Sequence, residues 1–228
     1  MPKKSSRNKL YFAIILIVIL AVSTAAIVYV VAFSQKPITV GVHVGDTFTY
    51  KLAGVSNLTS SDATTPDGFS VYNETKDYTI TVTGISGTKI TLNSVWELMN
   101  GSQFVNPQTI DISNGNRTDS SGFWAIYPSN LNKGNLISPK GFDKLIVNDT
   151  QPQSYTSSTR IMNYWHIAEA FQDTRDPTGN TQRVEIDSVY FDRATGMLVR
   201  LENHQFYNNP MYDLTVTWQL VNTNVWVV

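Results

Sequence analysis

Asp77-Tyr-Thr-Ile-Thr-Val-Thr-Gly-Ile-Ser-Gly-Thr-Lys-Ile-Thr-Leu-Asn-Ser-Val-Trp-Glu-Leu-Met-Asn-Gly-Ser-Gln-Phe-Val-Asn-Pro-Gln-Thr-Ile-Asp-Ile112 is the stretch on which the fold depends. Tyr78, Ile80 and Val82 alternate with Thr79, Thr81 and Thr83. A period of two marks a strand with one face buried. Ser86-Gly87 is a hairpin signal, and Ile90, Leu92, Ser94, Trp96 and Leu98 form the next alternating set. Asn100-Gly101 predicts a tight two-residue turn, because both residue types tolerate positive φ. The chain then returns from Phe104 to Ile112. Pro107 has no N–H to give a ladder, which places this strand at an edge or at a bulge. The whole reads as a three-stranded meander.

The pattern extends in both directions. Upstream, Gly45-Asp46 predicts a turn and Thr47–Leu52 an alternating strand. Gly54–Thr75 is polar and hydroxyl-rich, as a loop or flap would be. Downstream, 113–159 is irregular. It holds an apolar patch at Phe123–Tyr127, a loop at Asn130–Asn135 and a polar loop at Gln151–Thr159. A second meander follows. Arg160–Phe171 fits helical as well as strand spacing; its aromatics and hairpin neighbours favour strand. Asp176-Pro177-Thr178-Gly179 is a turn. Val184, Ile186, Val189 and Phe191 lead to a tight loop at Asp192–Gly196, Met197–Tyr207 returns, Asn208–Pro210 turns, and Leu214–Leu220 alternates again. Eight to ten strands joined by hairpins predict an antiparallel sheet, strongly twisted or curved, as a half-barrel or open sandwich. Its apolar face needs a cover, and 113–159 is the natural one. Tyr78, Val82, Trp96, Leu98, Leu214 and Trp218 are the candidates for residues facing a ligand on that side.

Ahead of this domain, Leu10–Phe33 carries no charge. Its 24 residues would reach roughly 36 Å as a helix, enough to cross a hydrocarbon core of about 30 Å. Lys3, Lys4, Arg7 and Lys9 precede it with no acidic residue. That asymmetry sets the N-terminus in the cytoplasm and the remainder outside the cell membrane. A cleaved secretory signal would end near Ser23–Ala26, but Ala26–Phe33 stays apolar beyond that point, so an uncleaved signal-anchor is the preferred reading. A pilin-type helix lacks its small residue after the basic cluster and its early glutamate. The organisation expected is a basic cytoplasmic tail at 1–9, a transmembrane signal-anchor at 10–33 and an extracytoplasmic β domain at 34–228.

Composition excludes several classes of function. There is no cysteine, hence no disulfide, thiol nucleophile or thiolate metal site. All 18 acidic residues and 13 of the 17 basic ones lie beyond residue 33, giving that part a net charge of −5. This argues against a nucleic-acid partner. His43, His166 and His204 are the only histidines. His166 and Glu169 could meet on a helix but face opposite sides of a strand, so no metal site and no cofactor is expected. No Gly-x-Ser-x-Gly elbow, Ser-x-x-Lys set or phosphate loop occurs, and no catalytic residue is marked. Sequons at Asn57, Asn73, Asn116 and Asn148 are candidate glycosylation sites; a fifth, Asn100, falls in the expected tight turn. Of the five tryptophans, Trp226 stands apart in Val225-Trp-Val-Val228, which would suit a last strand, an interfacial anchor or a strand offered to a neighbour.

Val44-Gly-Asp-Thr-Phe-Thr-Tyr50, the Asn130-Leu131…Gly134 loop, Asp192…Thr195-Gly-Met-Leu198 and Trp218-Gln-Leu-Val-Asn-Thr-Asn-Val-Trp226 together resemble uncharacterised, largely archaeal, single-span envelope proteins. Asn135 departs from the aspartate expected there. The Asp-x-x-Thr-Gly-x-Leu hairpin is also similar to that of lipoprotein-carrier-like half-barrels. The resemblance implies a curved sheet with a concavity for an amphiphile, and no catalytic residues.

The expected function is that of a membrane-anchored envelope domain that binds or scaffolds, its partner an apolar ligand or an envelope protein. The alternatives are a lipid carrier or sensor, and an extracytoplasmic hydrolase. Intact mass of protein purified from membranes should retain residues 10–33; a mature start near Ala26 would remove the anchor.

Overall fold

The computed structural model describes residues 37–118, 124–173 and 181–228. The apolar stretch 10–33 and the turn at 176–179 lie outside them. Among the described residues no helix is long and apolar enough to cross a membrane. Residues 38–228 form one compact unit.

That unit is built on one antiparallel sheet of ten strands: β1 (Thr47–Leu58), β2 (Thr75–Ser86), β3 (Lys89–Leu98), β4 (Gln103–Asp111), β5 (Asn116–Arg117), β6 (Asp149–Ser154), β7 (Thr159–Gln172), β8 (Gln182–Asp192), β9 (Leu198–Asn208) and β10 (Met211–Thr223). Their order is β5-β4-β3-β2-β1-β10-β9-β8-β7-β6. Each meander steps one strand at a time, and the two join where β10 lies along β1 from Phe48 to Leu58. The sheet is open, with β5 and β6 at its edges.

Three sequence expectations change. The Asn100-Gly101 hairpin is a longer loop, Met99–Ser102, and only Gly101 has positive φ, at 86°. Asn100 contributes through its side chain, whose Oδ1 accepts the Ser102 N–H. The strand β1 continues to Leu58, into the stretch read as loop. The strand β6 runs into another expected loop, overlapping it from Gln151 to Ser154, because it is an exposed edge containing Pro152 and buries neither face.

β1 and β2 pair only from Thr47 to Tyr50 on β1 and then part. A 3-10 turn at Phe69–Tyr72 fills the opening. Beside it Asn73 stands in for a missing strand: its Oδ1 accepts the Gly54 N–H at 2.9 Å and its Nδ2 donates to the Gly54 carbonyl at 2.7 Å. A Cβ on Gly54 would lie 3.0 Å from the Phe69 ring, so a larger residue there would have to push that ring aside.

The core lies on one sheet face. Phe48 and Tyr50 of β1 are fully buried, each contributing about 1.5–3 kcal/mol by analogy with other large side chains. Burial pushes the Tyr50 hydroxyl well above its ordinary pKa, so it stays a donor, to the Leu198 carbonyl at 2.9 Å. Ala125, Ile126 and Tyr127, from the 118–148 connection between the two edges, are buried against this face. Tyr127 lies 4.6 Å from Phe191, ring to ring. The irregular stretch therefore covers part of the apolar face.

The cover is held at the Asp192–Gly196 turn. Arg160 grips Asp192 with two hydrogen bonds of 2.7 Å, and Thr195 donates to Asp192 Oδ2 through both its N–H and its hydroxyl at 2.8 Å. The turn then receives its neighbours by backbone. Tyr127 N–H donates to the Gly196 carbonyl and Asn130 N–H to the Arg193 carbonyl. Gly196 has φ 79°, and a Cβ on it would fall 2.0 Å from the Tyr127 oxygen. Trp226 is buried, with the Arg160 guanidinium 4.1 Å above its ring and Phe48 5.9 Å away. Trp226 thus packs into this unit while Val225 and Val227 stay exposed, and the C-terminal segment adds no strand.

Removing one partner of a buried pair leaves an uncompensated charge. Asp192→Ala should cost about 3–5 kcal/mol, whereas Lys133→Ala, which breaks an exposed pair with Asp149, should cost under about 1 kcal/mol. Urea unfolding of both variants measures the contrast; similar losses would deny the turn its central role.

Candidate functional site

The rest of the apolar face is open. A groove of about 590 Å³ runs over it, lined from β2, β3, β4 and β5 on one side and β8, β9 and β10 on the other. Phe104 on β4 and Glu185 on β8 both border it, although six strand spacings separate them in the sheet. In a flat sheet that is roughly 29 Å at about 4.8 Å per strand.

One wall is aromatic. Register sets Tyr78 opposite Trp96 and Trp96 opposite Phe104. Tyr78 also meets Trp218 edge-on at 4.7 Å, and Tyr72 from the 3-10 turn lies 6.3 Å from Trp96. The Trp96 indole N–H donates to the Thr75 hydroxyl at 2.8 Å, which fixes the ring. Phe104 is 58% exposed and Trp124 37%. Arg117 lies over Trp124 at 4.5 Å from the ring centre.

The facing wall is polar. Antiparallel register on β8 and β9 sets Asp187 opposite Asn203 and Glu185 opposite Gln205. Asn203 Nδ2 donates to both Glu185 Oε1, at 2.6 Å, and Asp187 Oδ1, at 2.7 Å. Gln205 Nε2 donates to Asn203 Oδ1, and the Tyr207 hydroxyl to Gln205 Oε1. Arg183 binds the other Glu185 oxygen at 2.8 Å. The second Asp187 oxygen has no partner among the described residues. Burial raises the Asp187 pKa; the bond from Asn203 opposes this, and the charges of Glu185 and Glu169 add to it.

Of the six residues proposed to face a ligand, Tyr78, Trp96 and Trp218 border the groove. Val82, Leu98 and Leu214 are buried and do not. Val82 is enclosed completely. Sequence reasoning missed the polar wall. Its signal was a break in parity. Val184 and Ile186 share one face of β8, while Val189 and Phe191 share the other with Arg183, Glu185 and Asp187.

Elsewhere, His166 and Glu169 lie on opposite faces of β7, and His204 pairs with Asp213 at 3.3 Å. Among the described residues no group of three His, Asp or Glu could hold a metal ion. Asn57 and Asn116 are exposed, Asn148 accepts a backbone N–H from His166, and the Asn73 amide nitrogen is bound to Gly54.

A carboxyl whose folded pKa lies above its unfolded value, near 3.9 for Asp, contributes less stability as pH rises through that interval. Asp187→Asn keeps an acceptor for Asn203 and removes the titration. Its stability relative to the natural domain should therefore improve as pH rises from about 4 towards neutrality. Urea midpoints across that range test this, and a pH-independent difference would refute it. No protein-family model matches the chain and no curated protein matches it in sequence, so the site stands on its geometry.

Proposed function

We propose that this chain is a single-span, membrane-anchored domain outside the cell that binds a small ligand in the groove of a half-barrel sheet. Topology rests on Leu10–Phe33 and the basic residues before it. The observation that carries binding is the groove itself. Its volume falls within the range of small-molecule sites, and it combines an apolar wall with a few oriented polar groups. A scaffolding domain with a filled core would have no use for it.

The Glu185–Asp187 pair is what favours a hydrolase. Three of its four carboxylate oxygens already accept bonds from Asn203 and Arg183. That arrangement suits fixed acceptors better than groups exchanging protons with a substrate. The lipid-carrier reading draws on the aromatic wall and on Leu201 and Val216 at the groove floor.

Hydroxyl-radical footprinting of the full chain tests the groove without knowledge of the ligand. In native membranes Trp96, Phe104 and Trp124 should be protected relative to purified protein in lipid nanodiscs. Met99, which is exposed outside the groove, should label equally in both. Equal labelling of the groove residues would defeat the proposal, and protection confined to Phe206 on the other sheet face would favour scaffolding instead.

A further inference from the structure

We infer that the Asp192–Gly196 turn carries a second binding site, for a phosphate-type oxyanion, built from Arg193, Arg160 and Thr159. It shares no lining residue with the groove and does not depend on it.

The backbone of Arg193 is pinned on both sides. Its N–H donates to the Ile161 carbonyl at 2.8 Å, and its carbonyl accepts the Asn130 N–H at 2.7 Å. Its guanidinium, by contrast, bonds no other described residue, and its Nε is shut away from water without an acceptor. A half-buried guanidinium that has lost part of its hydration and gained no counter-charge attracts an anion more strongly than a fully solvated one. The hydrogen bonds of this residue are all made by its backbone, which leaves the side chain to a ligand.

Arg193 borders a depression of about 280 Å³ together with Thr159, Arg160 and Asp192. Arg160 engages Asp192 through Nε and one terminal nitrogen; the other terminal nitrogen has no partner among the described residues. Trp226 covers a face of that guanidinium and not its in-plane N–H groups. Thr159 is exposed, and its hydroxyl bonds no described residue. Donors from the start of β7 and from the β8–β9 turn therefore border one depression. Two guanidinium charges stand there against the one carboxylate of Asp192, which already accepts four hydrogen bonds. The site is locally cationic in an acidic domain.

These donors select the occupant. A tetrahedral oxyanion presents oxygens in several directions and can take two guanidiniums and a hydroxyl together, whereas the two coplanar oxygens of a carboxylate suit a single guanidinium fork. A cation meets the surplus positive charge. An apolar group would strip water from both guanidiniums without replacing its hydrogen bonds. Phosphate esters fit, and a lipid headgroup and a free ester share that chemistry. The lipid is a source to test because only five residues separate Phe33 from Thr39, which is bridged to Ser129, the neighbour of Asn130 in the lining of the same depression.

The experiment uses the full chain in dodecyl maltoside micelles and phosphate-free buffer. Inorganic phosphate and glycerol phosphate are titrated by calorimetry, with chloride holding the ionic strength constant. Arginine Nε–H resonances are followed in parallel, that of Arg193 being identified by its loss in Arg193→Gln. Binding should saturate and move the Arg193 resonance. Arg193→Gln should weaken it about tenfold or more, the effect expected on losing a hydrogen bond from a charged group. Arg193→Lys, which keeps the charge and loses the fork, should weaken it severalfold. Arg200→Gln, which breaks an exposed pair with Glu202, should leave it unchanged. Circular dichroism checks that the variants fold, and the resonance shift in the natural chain needs no variant. The titration is then repeated in phosphatidylglycerol nanodiscs. A headgroup in the site would hold the Arg193 resonance at its bound position before phosphate is added; a free ester as the ligand would leave it titrating as in micelles. An Arg193 resonance that neither moves in micelles nor differs in nanodiscs would overturn the inference. Phosphate binding indifferent to Arg193→Gln, or weakened equally by Arg200→Gln, would place the anion elsewhere and overturn it as well.

Discussion

The Arg160–Asp192 pair is the constraint from which the rest follows. A carboxylate with only 1% of its side chain exposed needs its charge answered on every side. The guanidinium supplies two bonds and the Thr195 N–H and hydroxyl supply two more. Satisfying Asp192 forces the β8–β9 connection into one tight shape. It also brings β7 alongside, because Arg160 sits near that strand's start. A face of the same guanidinium rests on Trp226, which draws the C-terminal segment into the same node.

The node also explains why the sheet is half covered. The connection from β5 to β6 must travel between the two edges of an open sheet. It does so by docking on the Asp192–Gly196 turn through Tyr127 and Asn130. Two glycines make the approach close enough. A Cβ at Gly196 would collide with the Tyr127 backbone, and one at Gly41 would fall 2.0 Å from the Ala194 carbonyl oxygen. With the cover fixed at that end, the other end of the apolar face stays open, and the aromatic and amide walls border the groove there.

The sheet was legible because alternation of apolar and polar residues is a local signal, and both meanders carry it plainly. The strand β6 was not, since an exposed edge with Pro152 and no buried face leaves no alternation to read. Asn100 was misread for a different reason: its side chain serves the turn by hydrogen bonding, whereas the sequence rule assumes positive φ. The aromatic half of the groove could be seen in part, as Tyr78, Trp96 and Trp218 alternate within their strands. The polar half could not. Asp187 and Asn203 lie on different strands, and only the register of β8 on β9 makes them neighbours.

The first and last strands are adjacent at the centre of the sheet, not at its margins. The Thr47 N–H donates to Asn224 Oδ1, so the two ends of the domain nearly touch. This has a mechanical consequence. Tension entering at residue 38 meets the bridge between Thr39 and Ser129 and then the start of β1, which is flanked on both sides. It cannot peel away a lone margin strand one bond at a time; it must load the rows joining β1 to β2 and to β10 together. A pull on the N-terminal end thereby loads a strand paired on both sides before the margins, β5 and β6.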